Sequence, residues 1–147
     1  MDYQFNTWSP GFVPDMDEKR SIIDFLYVQL GIYGDKKEYI EKAIDYALGL
    51  NSAIGGFVLV ATHAEELVAV SVINKTGMQN YIPENILVYL AVHDCMRGKG
   101  LGKEMVQRIV DQTEGDIALH VEKDNPARLL YEKLGFQTPY LEMRLRK

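Results

Sequence analysis

A mixed α/β (α+β) sandwich around one central sheet is the fold class this chain predicts, and three observations predict it. Two segments with helical apolar spacing come first, over residues 17–30 and 36–48. Two β-branched runs joined by a short polar turn follow them. The remainder reads strand, helix, strand, helix, strand, so sheet and helices must share one core. Of the 147 residues, 47% are hydrophobic and 25% charged, which excludes disordered, collagen-like and coiled-coil classes. A chain of this length is expected to form a single domain over residues 1–147 and to bury a core without staples. Cys95 is the one cysteine, which rules out an internal disulfide framework and a cysteine-based structural zinc site.

Along the chain, Pro10, Gly11 and Pro14 discourage regular structure, apart from a short aromatic strand near Tyr3–Trp8. Ile22, Ile23, Phe25, Leu26 and Leu30 then share one helical face, opposite Glu18, Lys19, Arg20 and Asp24, and Gly31 and Gly34 end the helix. A second helix is expected over Lys36–Leu48, with Tyr39, Ile40, Ala43, Ile44, Ala47 and Leu48 on one face. Phe57–Thr62 and Leu67–Asn74 form a hairpin around the polar residues His63–Glu66. Ile86–Val92 is a near-continuous apolar run, as expected of a strand covered on both faces. Gly100–Gln112 is an amphipathic helix with Leu101, Met105, Ile109 and Val110 inward, and Asp116–Val121 another buried strand. Pro126–Leu134 is a helix whose proline sits in the first turn, where its missing N–H costs nothing, and Gly135 ends it. The alternation in Tyr140–Arg146 predicts a final strand, available for pairing with another subunit in a homodimer.

The net charge of -5 and pI near 5.2 disfavour a nucleic-acid partner, because neutralising phosphates needs a cationic face. No apolar run approaches the roughly 18 residues of a membrane span. The opening MDYQFNTWSPGF lacks a basic start and an apolar block, so a cytoplasmic protein is expected.

The segment Leu90–Lys103 carries the chemistry. A buried strand runs into Arg97-Gly98-Lys99-Gly100-Leu101-Gly102, and a helix begins at once. The first N–H groups of a helix have no internal partner, and the helix dipole adds partial positive charge beside them. Gly98, Gly100 and Gly102 remove side chains from the approach, while Arg97, Lys99 and Lys103 add cations. A pyrophosphate suits such a turn. It is not the turn of a nucleoside-triphosphate site, because Glu104 follows Gly102-Lys103 and Arg97 stands where the first glycine belongs. It is not the dinucleotide pattern either, because the third glycine is missing.

Arg97–Gly102 fits the pattern Gln/Arg-x-x-Gly-x-Gly/Ala, and Asn125–Phe136 fits a helix ending in Tyr-x-x-x-Gly-Phe. With these two blocks in this order the chain resembles the GNAT superfamily of acetyl-coenzyme A dependent N-acetyltransferases. The resemblance is strong over Ile86–Phe136. It implies a mostly antiparallel sheet flanked by helices, and acetyl-coenzyme A as co-substrate. It implies that Arg97, Gly98, Lys99, Gly100, Leu101, Gly102 and Lys103 hold the pyrophosphate and that the backbone of Leu90, Ala91 and Val92 holds the pantetheine along a bulged, splayed strand. Tyr131 matches the acid that protonates the departing sulfur. Two departures stand out: Asp94 replaces a common proline, and Asp124 and Asn125 compete for the place of the asparagine before the second helix.

The general base stays open among His120, Glu122, Glu84 and a water chain. Some relatives carry a glutamate at the position of His120, strand alternation puts His120 and Glu122 on one face, and imidazole titrates near neutral pH. The acceptor is expected to be an amine of a small molecule or peptide, held near Gly31–Asp35, Asn80, Tyr81 and Tyr89. Adjacent His93, Asp94 and Cys95 are not expected to point together as a nucleophilic triad, and His63, His93 and His120 show no metal-ligand spacing, so no metal is expected. The competing reading is a non-catalytic acyl-coenzyme A sensor or interaction module.

Overall fold

Two apolar layers, one on each face of a five-stranded sheet, organise the computed structural model, which describes residues 2–147. In chain order the elements are β1 (Gln4–Trp8), α1 (Met16–Leu30), α2 (Lys37–Ala47), β2 (Gly56–His63), β3 (Glu66–Lys75), β4 (Asn85–Val92), α3 (Leu101–Gln112), β5 (Ile117–Leu119) and α4 (Ala127–Lys133). Strand order in the sheet follows chain order, β1-β2-β3-β4-β5. The first four strands pair antiparallel, and β5 joins β4 in parallel. This is the mixed, mostly antiparallel fold that the sequence predicts. No helix among the described residues is long and apolar enough to cross a membrane.

On one face α1 and α2 bury Ile22, Leu26, Ile40 and Ile44 against Val58, Val60, Val70 and Val72. On the other, α3 and α4 bury Leu101, Met105, Ile109 and Tyr131 against Phe57, Leu59, Ile73 and Leu87. Strand alternation sends successive side chains into opposite layers, so both layers are written into the same strands. Local signals set the boundaries. Asp15 Oδ1 accepts the Glu18 N–H at 2.8 Å and starts α1. Lys19 ties α1 to α2 through Asp45 (2.5 Å) and Glu41 (3.4 Å). Burial pulls the Lys19 ammonium pKa down, yet these carboxylates outweigh it and hold the pKa above its ordinary value. The β2–β3 hairpin turns through Ala64 and Glu65, both at positive φ.

Several expectations need correction. Tyr39 and Val110, read on the apolar faces of their helices, are exposed, since each lies at the margin of its apolar stripe. The run Asp116–Val121 pairs only over Ile117–Leu119, because its partner β4 parts from it after Leu87. Ile86–Val92 is not fully covered either: Ile86 is exposed although paired on both sides, and much of the strand beyond Leu87, where β5 has parted from it, keeps solvent access. The predicted strand Tyr140–Arg146 pairs with nothing among the described residues and stays exposed. An alternating pattern states which faces would differ, but a strand exists only when an edge receives it.

Gly56 is the tightest point of the sheet. A Cβ there would lie 1.9 Å from the Ile73 carbonyl oxygen of β3. Gly56→Ala is therefore expected to destabilise the fold by about 1–3 kcal/mol, read as a lower midpoint in urea; an unchanged midpoint would contradict this packing.

Candidate active site

β4 opens the site by leaving its neighbour. Val72 pairs with Tyr89 and Ile73 with Leu87, so Val88 is an extra residue with no partner on β3. Such a bulge bends and twists its strand. Here it turns Val88 and Tyr89 both toward the α1–α2 layer, while Leu87, Leu90 and Val92 face the α3–α4 layer. Beyond Leu87, β4 and β5 no longer pair, and a fork opens between them. The His93 N–H donates to Val68 O on β3, so alternation turns the Ala91 peptide groups toward β3 and those of Leu90 and Val92 into the fork.

The closed end of the fork is fastened by polar side chains. Buried Asn85 donates from Nδ2 to the carbonyls of Glu114 (2.8 Å) and Asp116 (3.2 Å). Glu84 accepts the backbone N–H of Asp116 at 2.9 Å and of Asn80 at 3.4 Å. The bond from Asp116, followed by those within the Asn80–Glu84 turn, holds the Glu84 carboxyl below its ordinary pKa. Glu84 is therefore a weak proton acceptor that secures a turn, and Asn80 and Tyr81 lie with it at this end rather than at the open one.

At the open end, β4 passes through a 3₁₀ turn (Asp94–Met96) into the glycine turn. Gly98 (φ +78) and Gly100 (φ +83) take the left-handed conformation that side chains rarely adopt, and a Cβ at either would meet open space. Gly100 caps α3 without a side-chain bond, and the first intrahelical bond runs from Glu104 N to Gly100 O. The N–H groups of Leu101, Gly102 and Lys103 are thus left without helical partners. Gly102 serves packing instead, since a Cβ there would stand 3.1 Å from Leu130 of α4. Lys99 and Lys103 are exposed. The Arg97 guanidinium is engaged elsewhere: Nε donates to Val92 O (3.1 Å) and Nη2 to Gln29 O at the end of α1 (2.8 Å). Gln29 Oε1 in turn accepts the Asp94 N–H (3.0 Å).

Tyr131 is 8% exposed within the α3–α4 layer, against which Leu90 and Val92 also pack. Burial pushes its phenol up to about 12. Its position is fixed by the end of α4. The Phe136 N–H donates to Tyr131 O and the Gly135 N–H to Glu132 O, with Gly135 at φ +100. The Tyr131 and Phe136 rings meet edge to face at 5.6 Å. The Tyr-x-x-x-Gly-Phe spacing is this helix terminus written in sequence.

His120 is exposed and lies one residue past the last β4–β5 pair, outside any strand, so it does not share a strand face with Glu122 as expected. Asn125 opens α4: its Oδ1 accepts the Ala127 N–H (2.9 Å), and its Nδ2 donates to Glu122 Oε1 (3.3 Å). Asp124 offers only its carbonyl, which accepts from the Tyr33 hydroxyl at 3.4 Å. A cavity of about 260 Å³ beside this loop is lined by Lys123, Asp124, Asn125, Arg128 and Glu132.

The Gly31–Asp35 connection reaches both arms of the fork. Tyr33 bonds the loop after β5, and Tyr89 Oη donates to Asp35 Oδ2 at 2.5 Å. Burial and then the Asp35 carboxylate raise the Tyr89 pKa. Gln29, Lys123 and Arg128 escaped the sequence reading, because each acts through a contact between segments far apart in the chain.

His93, Asp94 and Cys95 do come together, contrary to expectation, because the 3₁₀ turn folds them over one another. Their ligand-type atoms lie within 4.8 Å of one another. His93 Nδ1 accepts the Cys95 N–H at 3.1 Å or pairs with Asp94 Oδ1 at 3.0 Å, one contact for each protonation state of that nitrogen. A hydrogen bond to Asp94, and its charge, push the Cys95 thiol up, away from the reactive thiolate.

The family model of the acetyltransferase (GNAT) domain matches residues 55–138. That is more than half of the chain, and the chain belongs to the GNAT acetyltransferase family. It is similar to the mouse and human cysteine-rich protein 2-binding proteins, 39% identical over 56 residues, which is 37% of this chain and 7% of the length of those relatives. Its fold matches that of a ribosomal-protein-alanine N-acetyltransferase from Brucella melitensis biovar Abortus 2308, with a TM-score of 0.69 and 15% identity over 99% of this chain and all of that one. A predicted acetyltransferase from Clostridium acetobutylicum, solved with acetyl-CoA, matches at 0.69 with 18% identity over 97% of this chain and 96% of that one.

Because the folded state lowers the Glu84 pKa, the carboxylate stabilises the fold above the ordinary carboxylate range, and this contribution is lost as pH falls through the lowered value. Glu84→Ala is expected to lower Tm at pH 7 and to lower it progressively less as the pH is taken below 4. A deficit independent of pH would contradict the ionic role.

Proposed function

We propose that the chain is an N-acetyltransferase that moves an acetyl group from acetyl-coenzyme A to an amine of a small molecule or peptide, by direct attack with both substrates bound. The observation that carries the reading is the start of α3, where three N–H groups without helical partners follow two left-handed glycines whose side-chain positions open onto free space. The donor set fits a pyrophosphate, since backbone N–H groups, a helix dipole and two exposed lysines converge there. The backbone from Arg97 to Lys103, with Lys99 and Lys103, would hold it; the Arg97 side chain keeps the turn in place. The peptide groups of Leu90 and the Val92 N–H would hold the pantetheine amides, as an added strand would be held. Ala91 would keep β4 paired behind them. Asn125, with Lys123 and Arg128 around the neighbouring cavity, would border the outer part of the molecule.

When bound, acetyl-coenzyme A supplies an activated acyl carbon and a thiol leaving group. The chain's own residues then handle protons. With a pKa near 12, Tyr131 keeps its hydroxyl proton throughout the physiological range and would deliver it to the departing sulfur. His120, just past the branch of the fork, would take the proton from the acceptor ammonium. Asp35, held by Tyr89 on the α1–α2 side, would attract a cationic acceptor.

Coenzyme A is expected to raise Tm, stabilising the fold by about 2.7 kcal/mol at a hundred times its Kd. No shift at millimolar coenzyme A would overturn the cofactor assignment. Tyr131→Phe is expected to lower kcat about a hundred-fold while leaving the coenzyme A shift intact. Wild-type kcat in that variant would remove Tyr131 from the reaction. Thiol release at only the background rate across amines and peptide N-termini would leave a cofactor-binding module in place of an enzyme.

A further inference from the structure

His93, Asp94 and Cys95 bring three kinds of donor atom together between the end of β4 and the glycine turn. An imidazole nitrogen, a carboxylate oxygen and a thiol sulfur all lie within 4.8 Å of one another. Successive residues of a 3₁₀ turn point roughly a third of a revolution apart, so chain neighbours do not meet there by default. They meet here because His93 precedes the turn with φ -53 and ψ 138, outside the helical region, and its ring folds back over it. Nδ1 then lies 3.1 Å from the Cys95 nitrogen and 3.0 Å from Asp94 Oδ1. The turn is held at both ends: Gln29 Oε1 of α1 accepts the Asp94 N–H, and Arg97 is tied to Val92 and Gln29. Asp94 and Cys95 are exposed and His93 is half-buried, so an ion from solvent reaches all three.

We propose that this cluster binds one borderline-soft divalent cation of the zinc class, with His93, Asp94 and Cys95 as its protein ligands. A mixed nitrogen, oxygen and sulfur set suits zinc, cobalt or nickel, whereas magnesium and calcium take oxygen. With bonds of about 2.0–2.3 Å, tetrahedral ligands stand about 3.3–3.8 Å apart, so closing the cluster takes side-chain movements of about 1 Å. On binding, the Cys95 thiol gives its proton to solvent, the thiolate takes the metal, and water completes the fourth position. Asp94 and the Cys95 thiolate then set two negative charges against the two positive charges of the ion. Two side-chain cations are near: exposed Lys99, whose charge acts on Cys95, and Arg97, engaged at Val92 and Gln29. Histidine spacing gives no sign of the site, because it uses one histidine and its two chain neighbours. The ion would stiffen the junction between β4 and the glycine turn.

Cobalt(II) titrated into the full chain, freed of metal with a chelator and kept reduced, tests this without cofactor or acceptor. One equivalent is expected to saturate a thiolate-to-cobalt charge-transfer absorption, which zinc abolishes and millimolar magnesium leaves unchanged. Cys95 is the one thiol of the chain, so the band reports its sulfur alone. His93→Ala and Asp94→Asn are each expected to weaken cobalt binding about ten-fold or more. Absence of the band in the wild-type chain at millimolar cobalt would overturn the site, and that result needs no variant to fold. A wild-type Kd in either variant, or displacement by magnesium, would overturn it too, leaving an adventitious ion only. Since neither substrate is present, failure here is distinct from failure of the acetyltransferase reading.

Discussion

The extra residue at Val88 is the constraint on which the rest of the molecule depends. Without it β4 and β5 would pair along their length, and the sheet would have no opening. With it, pairing stops after three positions, and the peptide groups of Leu90 and Val92 face a gap. A bulge leaves backbone groups unpaired, so it persists only where its surroundings fix it. Here Asn85 and Glu84 lock the closed end, and Arg97 locks the far end of β4 to α1. The two apolar layers hold the arms from above and below.

Rigid local motifs then set side chains around the gap. Tyr131 is placed by the terminus of its own helix and by the Phe136 ring, independently of any loop. The glycine turn draws its shape from two left-handed backbone positions. Preorganisation of this kind means that ordering is accomplished when the chain folds and is not charged against binding.

Much of this was legible in the sequence, and the reasons are physical. The helices from Met16 to Ala47, the β2–β3 hairpin and α3 follow from periodicity and from glycine and proline punctuation, which are local. The two motif blocks were legible because each encodes a single local geometry: a left-handed turn into α3, and a helix end that seats Tyr131. What stayed hidden is non-local. Nothing near Asp116 in sequence says that β4 will depart after Leu87, so β5 was read too long and His120 was placed on a strand it does not join. Nothing near Arg97 says that its guanidinium will be bound by Val92 and Gln29. The alternation of Tyr140–Arg146 was read correctly as a pattern and incorrectly as a paired strand, because an edge belongs to the tertiary structure.

The Arg97 contact carries one more consequence. By capping the Val92 carbonyl, it removes the acceptor that this stretch of β4 would otherwise present next to the glycine turn. The glycine turn then presents main-chain N–H groups without helical partners and the exposed ammonium groups of Lys99 and Lys103, so its hydrogen-bonding polarity is weighted toward donors, while the Asp35 carboxylate is held by the Tyr89 hydroxyl on the α1–α2 side of the sheet.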